Sequence, residues 1–320
     1  MPEAAARPLH IAILGCGAAA GFAGPVLRGL GVTCSYASRD AARARRFAGR
    51  LGGRGAYGSY EEALLAPEVD AVLVATPPAL HAELALAALL AGKHAIVEKP
   101  PFLRSADFAP VEAAARTARR RVLVAENYHY KPLARTLRRL LAEGAIGELL
   151  FLHVNALKRQ EASGWRSDPA QVGGGALFEG GIHWVSFMTH LGPVVRDVRG
   201  FASRQGGVER GVTAVFEYEG GAVGTLLYSW EVPSPLGPLR GSHGYGRAGS
   251  IAFESNGLAV GVWGRKKRLI FPGVRDLVGR RAMWRDFVRA LSEGGEPEYD
   301  LARARRDLEL VERIYATMSP

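Results

Sequence analysis

The stretch HIAILGCGAAA, residues 10–20, decides the fold of the N-terminal part of the chain. Its first half, His10–Leu14, is a short, mostly apolar run that predicts a strand. A glycine-rich turn and the start of a small-residue helix follow. In a GxGxxA turn the first glycine permits a tight bend, the second lets the backbone approach a pyrophosphate, and the phosphates lie at the helix N-terminus. The residues of this predicted dinucleotide-binding turn are Gly15, Cys16, Gly17, Ala18, Ala19 and Ala20.

Short apolar runs and helical patterns continue to alternate through the first 125 residues. Further strands are predicted at Thr33–Ala37, Ala71–Ala75, Ala95–Glu98 and Val122–Ala125. Helices are predicted at Asp40–Leu51, Leu80–Ala91 and Ser105–Arg120, and a capping box at Ser59–Glu62 starts a short one. This alternation is typical of an α/β fold with a doubly wound parallel sheet. Residues 1–125 are therefore predicted to form a dinucleotide-binding Rossmann domain.

The pattern changes after residue 126. Two helices are predicted at about 132–143 and 173–191, on either side of a strand at 149–156, and strands then dominate up to residue 271. Glu219–Gly221 and Asn256-Gly257 predict hairpin turns, and Val232–Arg247, rich in proline and glycine, predicts a loop. Two helices close the chain. Residues 126–320 are thus predicted to form a substrate-binding and oligomerisation α+β domain with a large, mainly antiparallel sheet.

Composition narrows the class of protein. The chain has 320 residues, 48% of them apolar, and a formal net charge of +10. No apolar run reaches the length of about 20 residues that a membrane-spanning helix needs, and no secretory signal is recognisable. Cys16 and Cys34 lack metal-ligand spacing, and the basic residues are scattered rather than gathered in a nucleic-acid-binding stripe. We expect a cytoplasmic protein with a small-molecule substrate, and no nucleic acid, membrane or metal partner.

The end of the second predicted strand bears on cofactor choice. NAD-binding sites usually have Asp or Glu there, where it binds the ribose 2′-hydroxyl. This chain has Ser38-Arg39 instead. A hydroxyl and a guanidinium can hydrogen-bond and pair with a 2′-phosphate, which a carboxylate would repel. The sequence favours NADP(H) over NAD(H); the alternative is that Arg39 is solvated and Asp40 binds the ribose.

Three further residues are candidates for catalysis. Lys99 follows the predicted strand that ends at Glu98, and ligands of open α/β sheets bind at the carboxyl ends of strands. In the second domain, Glu179 and His183 are four residues apart in a predicted helix and would share a face. A carboxylate and an imidazole in that arrangement suit general acid-base chemistry. A histidine in a helix is by itself more often structural.

Several motifs together resemble one family, the glucose–fructose oxidoreductase/inositol dehydrogenase/MocA-type (Gfo/Idh/MocA) oxidoreductases. The resemblance covers nearly the whole chain. Its motifs are GCGAAA at 15–20, ATPP at 75–78 with His81, AGKH at 91–94, EKP at 98–100, VAENY at 124–128, the block 173–183 and the segment 286–297. It implies hydride transfer between nicotinamide C4 and a carbinol or carbonyl carbon of a sugar, polyol or similar cyclic substrate. The alternatives are a cofactor-binding pseudoenzyme, a glycoside hydrolase that uses bound cofactor transiently, and a reductase of a planar substrate.

The resemblance also implies roles for individual residues. Lys99 would bind the reacting oxygen and help to position the cofactor, and His183 would exchange the proton. The family usually has Asp where this chain has Glu179, and the extra methylene displaces the carboxylate by roughly 1 Å, enough to lower the rate about 100-fold if uncompensated. Other expected cofactor contacts are Thr76, Pro77, His81, Glu98 and Asn127, and expected substrate contacts include Tyr128, Trp165 and Arg166.

The strands of the second domain carry apolar residues on both faces, as at Val212–Phe216 and Leu226-Leu227. A bare apolar sheet face would be an interaction surface. We therefore expect a homodimer or homotetramer formed through that sheet, as the family also implies.

Overall fold

The computed structural model describes residues 7–161, 164, 168–203, 208–233 and 239–318. The chain divides into two compact units. The first contains the described residues up to Ala125 together with Met283–Leu301. The second contains Glu126–Ala282 and the described residues from Ala302 onward. Residues 283–301 follow the second unit's sheet in sequence, but Trp284 and Phe287 in this segment are buried in the first unit.

A six-stranded parallel sheet forms the centre of the first unit, as the alternating pattern predicts. Its order is β3-β2-β1-β4-β5-β6, and its central strands are buried along their length. The strands are β1 His10–Leu14, β2 Thr33–Ala37, β3 Gly55–Tyr57, β4 Ala71–Val74, β5 His94–Glu98 and β6 Val122–Ala125. The sequence analysis did not predict β3, which is three residues long and lies at an edge of the sheet, where no apolar run is needed.

Five helices accompany this sheet in chain order: α1 Ala18–Arg28, α2 Ala41–Leu51, α3 Tyr60–Leu65, α4 His81–Leu90 and α5 Phe108–Ala118. Only half of the predicted capping box is present at α3, because Ser59 caps the helix but Glu62 accepts from the Gly58 amide rather than from that of Ser59. The Ser59 hydroxyl accepts a hydrogen bond from the Glu62 amide at 3.0 Å, and the Glu62 carboxylate accepts one from the Gly58 amide at 2.7 Å. Gly92 follows α4 with φ +71°, a conformation that ends a helix and favours glycine.

An eight-stranded sheet forms the second unit, in the order β14-β13-β12-β11-β7-β10-β9-β8. Neighbouring strands are antiparallel except β7 and β10, so the prediction of a mainly antiparallel sheet is confirmed. Gly220, Gly221 and Gly257 have positive φ in the two predicted hairpin turns. The strands are β7 Leu149–Leu157, β8 Val195–Ala202, β9 Gly211–Tyr218, β10 Val223–Ser229, β11 Gly241–Gly246, β12 Gly249–Glu254, β13 Val260–Trp263 and β14 Arg268–Ile270.

The prediction of a loop throughout Val232–Arg247 was wrong, because β11 lies within it. The sequence GSHGYG of β11 has weak intrinsic strand propensity. Its backbone nevertheless pairs with β7 on one side and β12 on the other. Pairing with neighbouring strands therefore overrides the local propensity of these residues, and the pattern of the segment alone could not have predicted β11.

The helices of the second part of the chain are α6 Pro132–Ala142, α7 Pro169–Val172, α8 Ile182–Thr189, α9 Arg280–Glu293 and α10 Leu301–Thr317. The long helix predicted near 173–191 is not a continuous α-helix. Residues Leu177–Gly181 form a π-helical turn that leads into α8. Such turns are rare in proteins overall, but those that occur often lie at functional sites.

The two faces of the second sheet differ. On one face Val154, Ala214 and Leu226 are buried, and α8 contacts this part of the sheet at β10. The opposite face exposes large apolar side chains, among them Phe151 and Phe201, at 58% and 57% exposure.

Within the described ranges, no helix is long and apolar enough to cross a membrane. The same residues contain no group of three or more His, Cys, Asp or Glu side chains placed to hold a metal ion.

Candidate functional site

The carboxyl ends of the strands of the first sheet are aligned along one edge. Leu14, the last residue of β1, pairs with Ala37 of β2 and with Val74 of β4, and β5 and β6 end together at Glu98 and Ala125. The residues that follow these strands therefore lie at the edge where open α/β sheets bind their ligands. They include Gly15, Ser38, Thr76 and Lys99.

Gly15 makes the turn that the sequence predicts. Its φ is +110°, and a Cβ built on it would lie 2.5 Å from the Ala75 carbonyl oxygen. Its amide donates a hydrogen bond of 2.9 Å to the Ala37 carbonyl. The turn after β1 is thus packed against the segments that follow β2 and β4, at a distance that only glycine permits.

The remainder of the turn fits a bound pyrophosphate. A Cβ on Gly17 would meet no protein atom within 4 Å, so the fold itself does not require glycine there. Gly17 is the N-cap of α1 without a side-chain capping bond, and the first turn of α1 has no acidic residue. Exposed helix N–H groups without a nearby carboxylate suit an anion. The Ala18–Ala20 segment supplies this first turn.

Two side chains near the turn, those of Thr76 and Cys16, differ in their suitability for contact with a ligand. The Thr76 hydroxyl is buried and has no hydrogen-bond partner among the described residues. A buried polar group normally has a partner, so Thr76 Oγ1 suits a hydrogen bond to a ligand. Cys16 is also buried, and burial raises the pKa of its thiol, which makes it an unreactive packing residue rather than a nucleophile.

The end of β2 brings four polar residues together. Arg39 is exposed, and the Ser38 hydroxyl accepts a hydrogen bond of 3.2 Å from the Asp40 amide. The Asp40 carboxylate caps α2 by accepting from the Arg43 amide at 3.1 Å. This capping bond, together with nearby arginines, lowers the pKa of Asp40. Asp40 therefore has a structural role as the N-cap of α2.

Arg43 is a residue that the sequence analysis did not select. Its guanidinium donates two hydrogen bonds, of 3.0 and 2.6 Å, to the Cys16 carbonyl in the glycine-rich turn. A cavity of about 400 Å³ adjoins it, lined by Asp40, Arg43, Arg46, Phe47 and Arg50. Three guanidinium groups against one carboxylate make this cavity attractive to anions. The only sequence signal was a helix rich in arginine, which is common on solvated surfaces.

Lys99 follows β5 and is partly buried, and the Lys99–Pro100 peptide bond is cis. His81 holds the neighbouring loops together. One ring nitrogen of His81 lies 2.9 Å from the Thr76 carbonyl oxygen, and the other lies 2.9 Å from that of Pro100. Burial lowers the pKa of His81, although these carbonyl contacts oppose the shift. His81 thus fixes the loop that carries Thr76 and Pro77 to the loop that carries Lys99.

In the second unit, His183 has a carboxylate partner. Its Nδ1 lies 2.7 and 2.8 Å from the two carboxylate oxygens of Glu126, whose side chain is only 2% exposed. A regular helix would place Glu179 on the same face as His183. Glu126 stands in the VAENY motif 57 residues earlier, so helix periodicity could not have connected it with His183.

The ring of His183 is stacked on that of Tyr128, with centroids 4.4 Å apart and an 11° angle between planes. The Lys131 ammonium lies 4.4 Å from the Tyr128 ring centroid and donates to the Ser255 carbonyl at 3.2 Å. Burial, reinforced by the charge of Glu126, raises the pKa of Tyr128 to about 12. Asn127 donates its side-chain amide to the Val278 carbonyl at 2.5 Å, a contact within the second unit.

Glu179 lies on the π-helical turn and is 4% exposed. The next residue, Gly180, packs against Tyr228, because a Cβ at Gly180 would lie 2.2 Å from the Tyr228 hydroxyl. Burial raises the pKa of Tyr228 well above its usual value, and the charge of Glu179 adds to the shift. The remaining predicted substrate contacts, Trp165 and Arg166, lie outside the described residues.

A parallel sheet with a glycine-rich turn after β1, and polar residues gathered at the carboxyl edge, define a dinucleotide-binding Rossmann-fold domain. Two family models match the chain. Residues 9–126 match the oxidoreductase family with an NAD-binding Rossmann fold, and residues 134–251 match the Gfo/Idh/MocA C-terminal domain. The chain belongs to the Gfo/Idh/MocA family of oxidoreductases, as its motifs indicated.

Individual relatives agree with this assignment. The chain is 34% identical to dTDP-3,4-didehydro-2,6-dideoxy-α-D-glucose 3-reductase from Saccharopolyspora spinosa over 236 residues, 70% of this chain and 69% of the relative. A levoglucosan dehydrogenase solved with NADH and levoglucosan has a similar fold, with a TM-score of 0.87, 21% identity and 97% coverage of both chains. KijD10, a 3-ketoreductase from Actinomadura kijaniata solved with NADP and TDP-benzene, gives a TM-score of 0.84 at 24% identity, covering 97% of this chain and 98% of its own.

Proposed function

We propose that this protein transfers hydride between NADP(H) and a carbonyl or carbinol carbon of a sugar, a polyol or another small cyclic substrate. The alignment of Gly15, Thr76 and Lys99 along one edge of the first sheet, in a chain of this family, is the observation that carries the proposal. The relative that reduces the 3-position of a nucleotide-linked deoxyglucose supports a sugar-like substrate.

Each candidate residue then has a distinct task. The nicotinamide ring accepts or supplies the hydride at C4. In the oxidative direction, Lys99 donates a hydrogen bond to the substrate oxygen, and His183 accepts the hydroxyl proton as the C–H hydride leaves. Glu179 binds a substrate hydroxyl. Lys99 would also help to hold the nicotinamide end of the cofactor, together with Glu98 and Pro77.

The catalytic part of the proposal is tested by turnover. NADPH oxidation is followed with a panel of ketosugars and diketones, for the wild type and for Lys99→Ala and His183→Ala. Removing a proton-transfer group costs typically 10²- to 10⁴-fold in rate, whereas Lys266→Ala, at an exposed lysine, is the matched control and should be neutral. Tight NADPH binding without turnover would contradict the proposal and favour a scaffold. Cleavage of a glycoside with cofactor retained would favour a hydrolase.

Preference for NADP(H) is proposed from the side chains at the end of β2. Ser38 and Arg39 hydrogen-bond to the 2′-phosphate, and the guanidinium of Arg43, fixed on the Cys16 carbonyl, adds positive charge next to it. The Arg-lined cavity beside α2 supports an anion in this region.

Cofactor preference is measured as dissociation constants for NADPH and NADH. A charge-assisted hydrogen bond contributes about 1.5–3 kcal/mol, so Arg39→Ala should weaken NADPH binding roughly 10- to 100-fold and leave NADH binding nearly unchanged. Arg45→Ala is the matched control, since Arg45 is an exposed arginine of the neighbouring helix α2 that does not line the cavity. Equal affinity of the wild type for the two cofactors would refute the preference.

Homo-oligomerisation is proposed through the exposed face of the second sheet. Phe151, Tyr245, Ser250 and Trp263 form a row of cross-strand neighbours, and the three aromatic residues are 58%, 46% and 50% exposed. A contiguous apolar face of this kind is typical of an interface. Light scattering should give the mass of a dimer or tetramer, and Phe151→Glu should shift it toward the monomer. A wild-type monomer at micromolar concentration would refute this part.

A further inference from the structure

The pair formed by His183 and Glu126 has the arrangement of an oriented general base. Both oxygens of the Glu126 carboxylate lie within 2.8 Å of His183 Nδ1. An ionised carboxylate can only accept hydrogen bonds, so Nδ1 carries the proton between them. In the neutral imidazole Nε2 is then the basic nitrogen.

Glu126 is itself held in place. Its backbone begins the turn at Asn127–Tyr130, and its Oε1 accepts the Tyr128 amide at 2.8 Å. The Tyr128 ring in turn stacks on the imidazole. One short segment therefore fixes both the tautomer of His183, through the carboxylate, and the plane of its ring, through the aromatic contact.

We propose that Glu126 is a positioning residue for proton exchange by His183. It accepts the Nδ1 proton, directs Nε2 to the substrate hydroxyl, and stabilises the imidazolium that forms when Nε2 takes that proton. In the reductive direction the same imidazolium returns the proton to the substrate oxygen. The role rests on the proposed function of His183 and adds a residue to it.

Other charged groups surround the pair. Lys131 carries a positive charge that interacts with Glu126, and Arg240 and Arg280 interact with Tyr128. Glu179 lies on the turn that precedes α8, and its negative charge acts on Tyr228. Replacing Glu126 by Gln keeps the shape of the side chain but removes the charge, and its amide can also donate to Nδ1 and impose the wrong tautomer.

A double-mutant cycle separates positioning from simple structural support. Glu126→Gln should lower kcat/KM for substrate oxidation by at least about 100-fold. In the His183→Ala background the same substitution should have almost no further effect, because both changes remove one function. The KM for NADP+ in the same assay should remain unchanged. An equal loss in both backgrounds would overturn the proposal.

The matched control is Asp307→Asn. Asp307 is a buried carboxylate of the same unit that also meets an imidazole, with His190 Nε2 3.2 Å from its Oδ2. Asp307→Asn also disrupts a buried histidine–carboxylate pair, but one that does not include Glu126. Its effect on kcat/KM should therefore be the same in the wild type and in the His183→Ala background.

A measurement that needs neither turnover nor a variant distinguishes this proposal from the proposed function. Nitrogen NMR of the imidazole of His183, in the wild-type protein with NADPH bound, reports which ring nitrogen carries the proton. At a pH where the imidazole is neutral, we expect the proton on Nδ1 and no proton on Nε2. An Nε2–H tautomer would overturn the role of Glu126 even if the enzyme is active. If the NMR spectrum shows the expected tautomer but the protein turns over no substrate, the role of Glu126 as the partner of His183 stands. Only the proposed oxidoreductase function is then refuted. Glu126→Asp replaces the amide variant if the latter does not fold.

Discussion

Lys131 offers a test of the electrostatics of the second unit. Its side chain is 2% exposed, and burial, reinforced by the charge of Arg240, lowers its pKa from 10.5 to about 8 against the opposing charges of Glu254 and Glu126. The perturbation is Lys131→Met, which keeps an unbranched chain of similar length and removes the charge.

The expected magnitude follows from proton linkage. Between pH 8 and 10.5 the unfolded chain retains the lysine proton and the folded chain does not, so the free energy of unfolding of the wild type rises with pH in this window. One pKa unit corresponds to about 1.4 kcal/mol, and a shift of this size therefore changes stability by roughly 3 kcal/mol. At pH 7 the variant gains this amount but loses the hydrogen bond to Ser255, about 1 kcal/mol; the attraction of the charged ammonium to the Tyr128 ring is already part of the net pKa shift.

Urea titrations from pH 6.5 to 10.5, followed by circular dichroism, give the difference in unfolding free energy between the variant and the wild type. This difference cancels the titration of other groups. Lys131→Met should be about 2 kcal/mol more stable than the wild type at pH 7 and about 1 kcal/mol less stable near pH 10.5. Lys266→Met, at an exposed lysine, should show no such trend. A Lys131→Met difference that is constant with pH would refute the reasoning.

Two further predictions concern packing. Gly180→Ala should destabilise the protein by about 1–3 kcal/mol, because the new methyl group would overlap the Tyr228 hydroxyl. The control is Gly49→Ala, in α2 with open space around it, which should stabilise the protein by about 0.5–1 kcal/mol. Equal effects of the two substitutions on thermal unfolding would contradict the overlap. Cys34 is buried, which raises the pKa of its thiol to about 12, so a thiol reagent at pH 8 should label it only after unfolding, and rapid labelling of the native protein would show that the thiol is accessible.

Much of the first unit was predictable from the sequence. Buried parallel strands are short apolar runs, and a glycine with φ +110° between β1 and α1 leaves a recognisable turn. Local signals also indicated the cap of α3 and the hairpin glycines. The strand β11 was missed because its stability comes from pairing with β7 and β12 rather than from its own residues.

Some residues of the candidate site could likewise be predicted from the sequence, and others could not. Lys99, Thr76 and the glycine-rich turn stand next to strand ends, so their place at the carboxyl edge follows from the alternation of strands and helices. Arg43, in the first turn of α2, reaches the Cys16 carbonyl, and nothing in the pattern of a solvated helix indicates that bond. The π-helical turn at Glu179 interrupts the regular helix, and the Glu126 partner of His183 comes from another segment of the chain, so helix periodicity alone could not indicate it.

The sequence by itself determined the class of fold, the dinucleotide-binding turn and the family, because these depend on residues close together in the chain and on backbone conformations that only glycine adopts readily. Only the tertiary structure decided that His183 is held by Glu126, that Lys131 is buried beside Tyr128, and that a glycine-rich segment becomes a central strand. Those outcomes depend on contacts between residues far apart in sequence, and the energy of such contacts is set by burial and geometry that no local pattern contains.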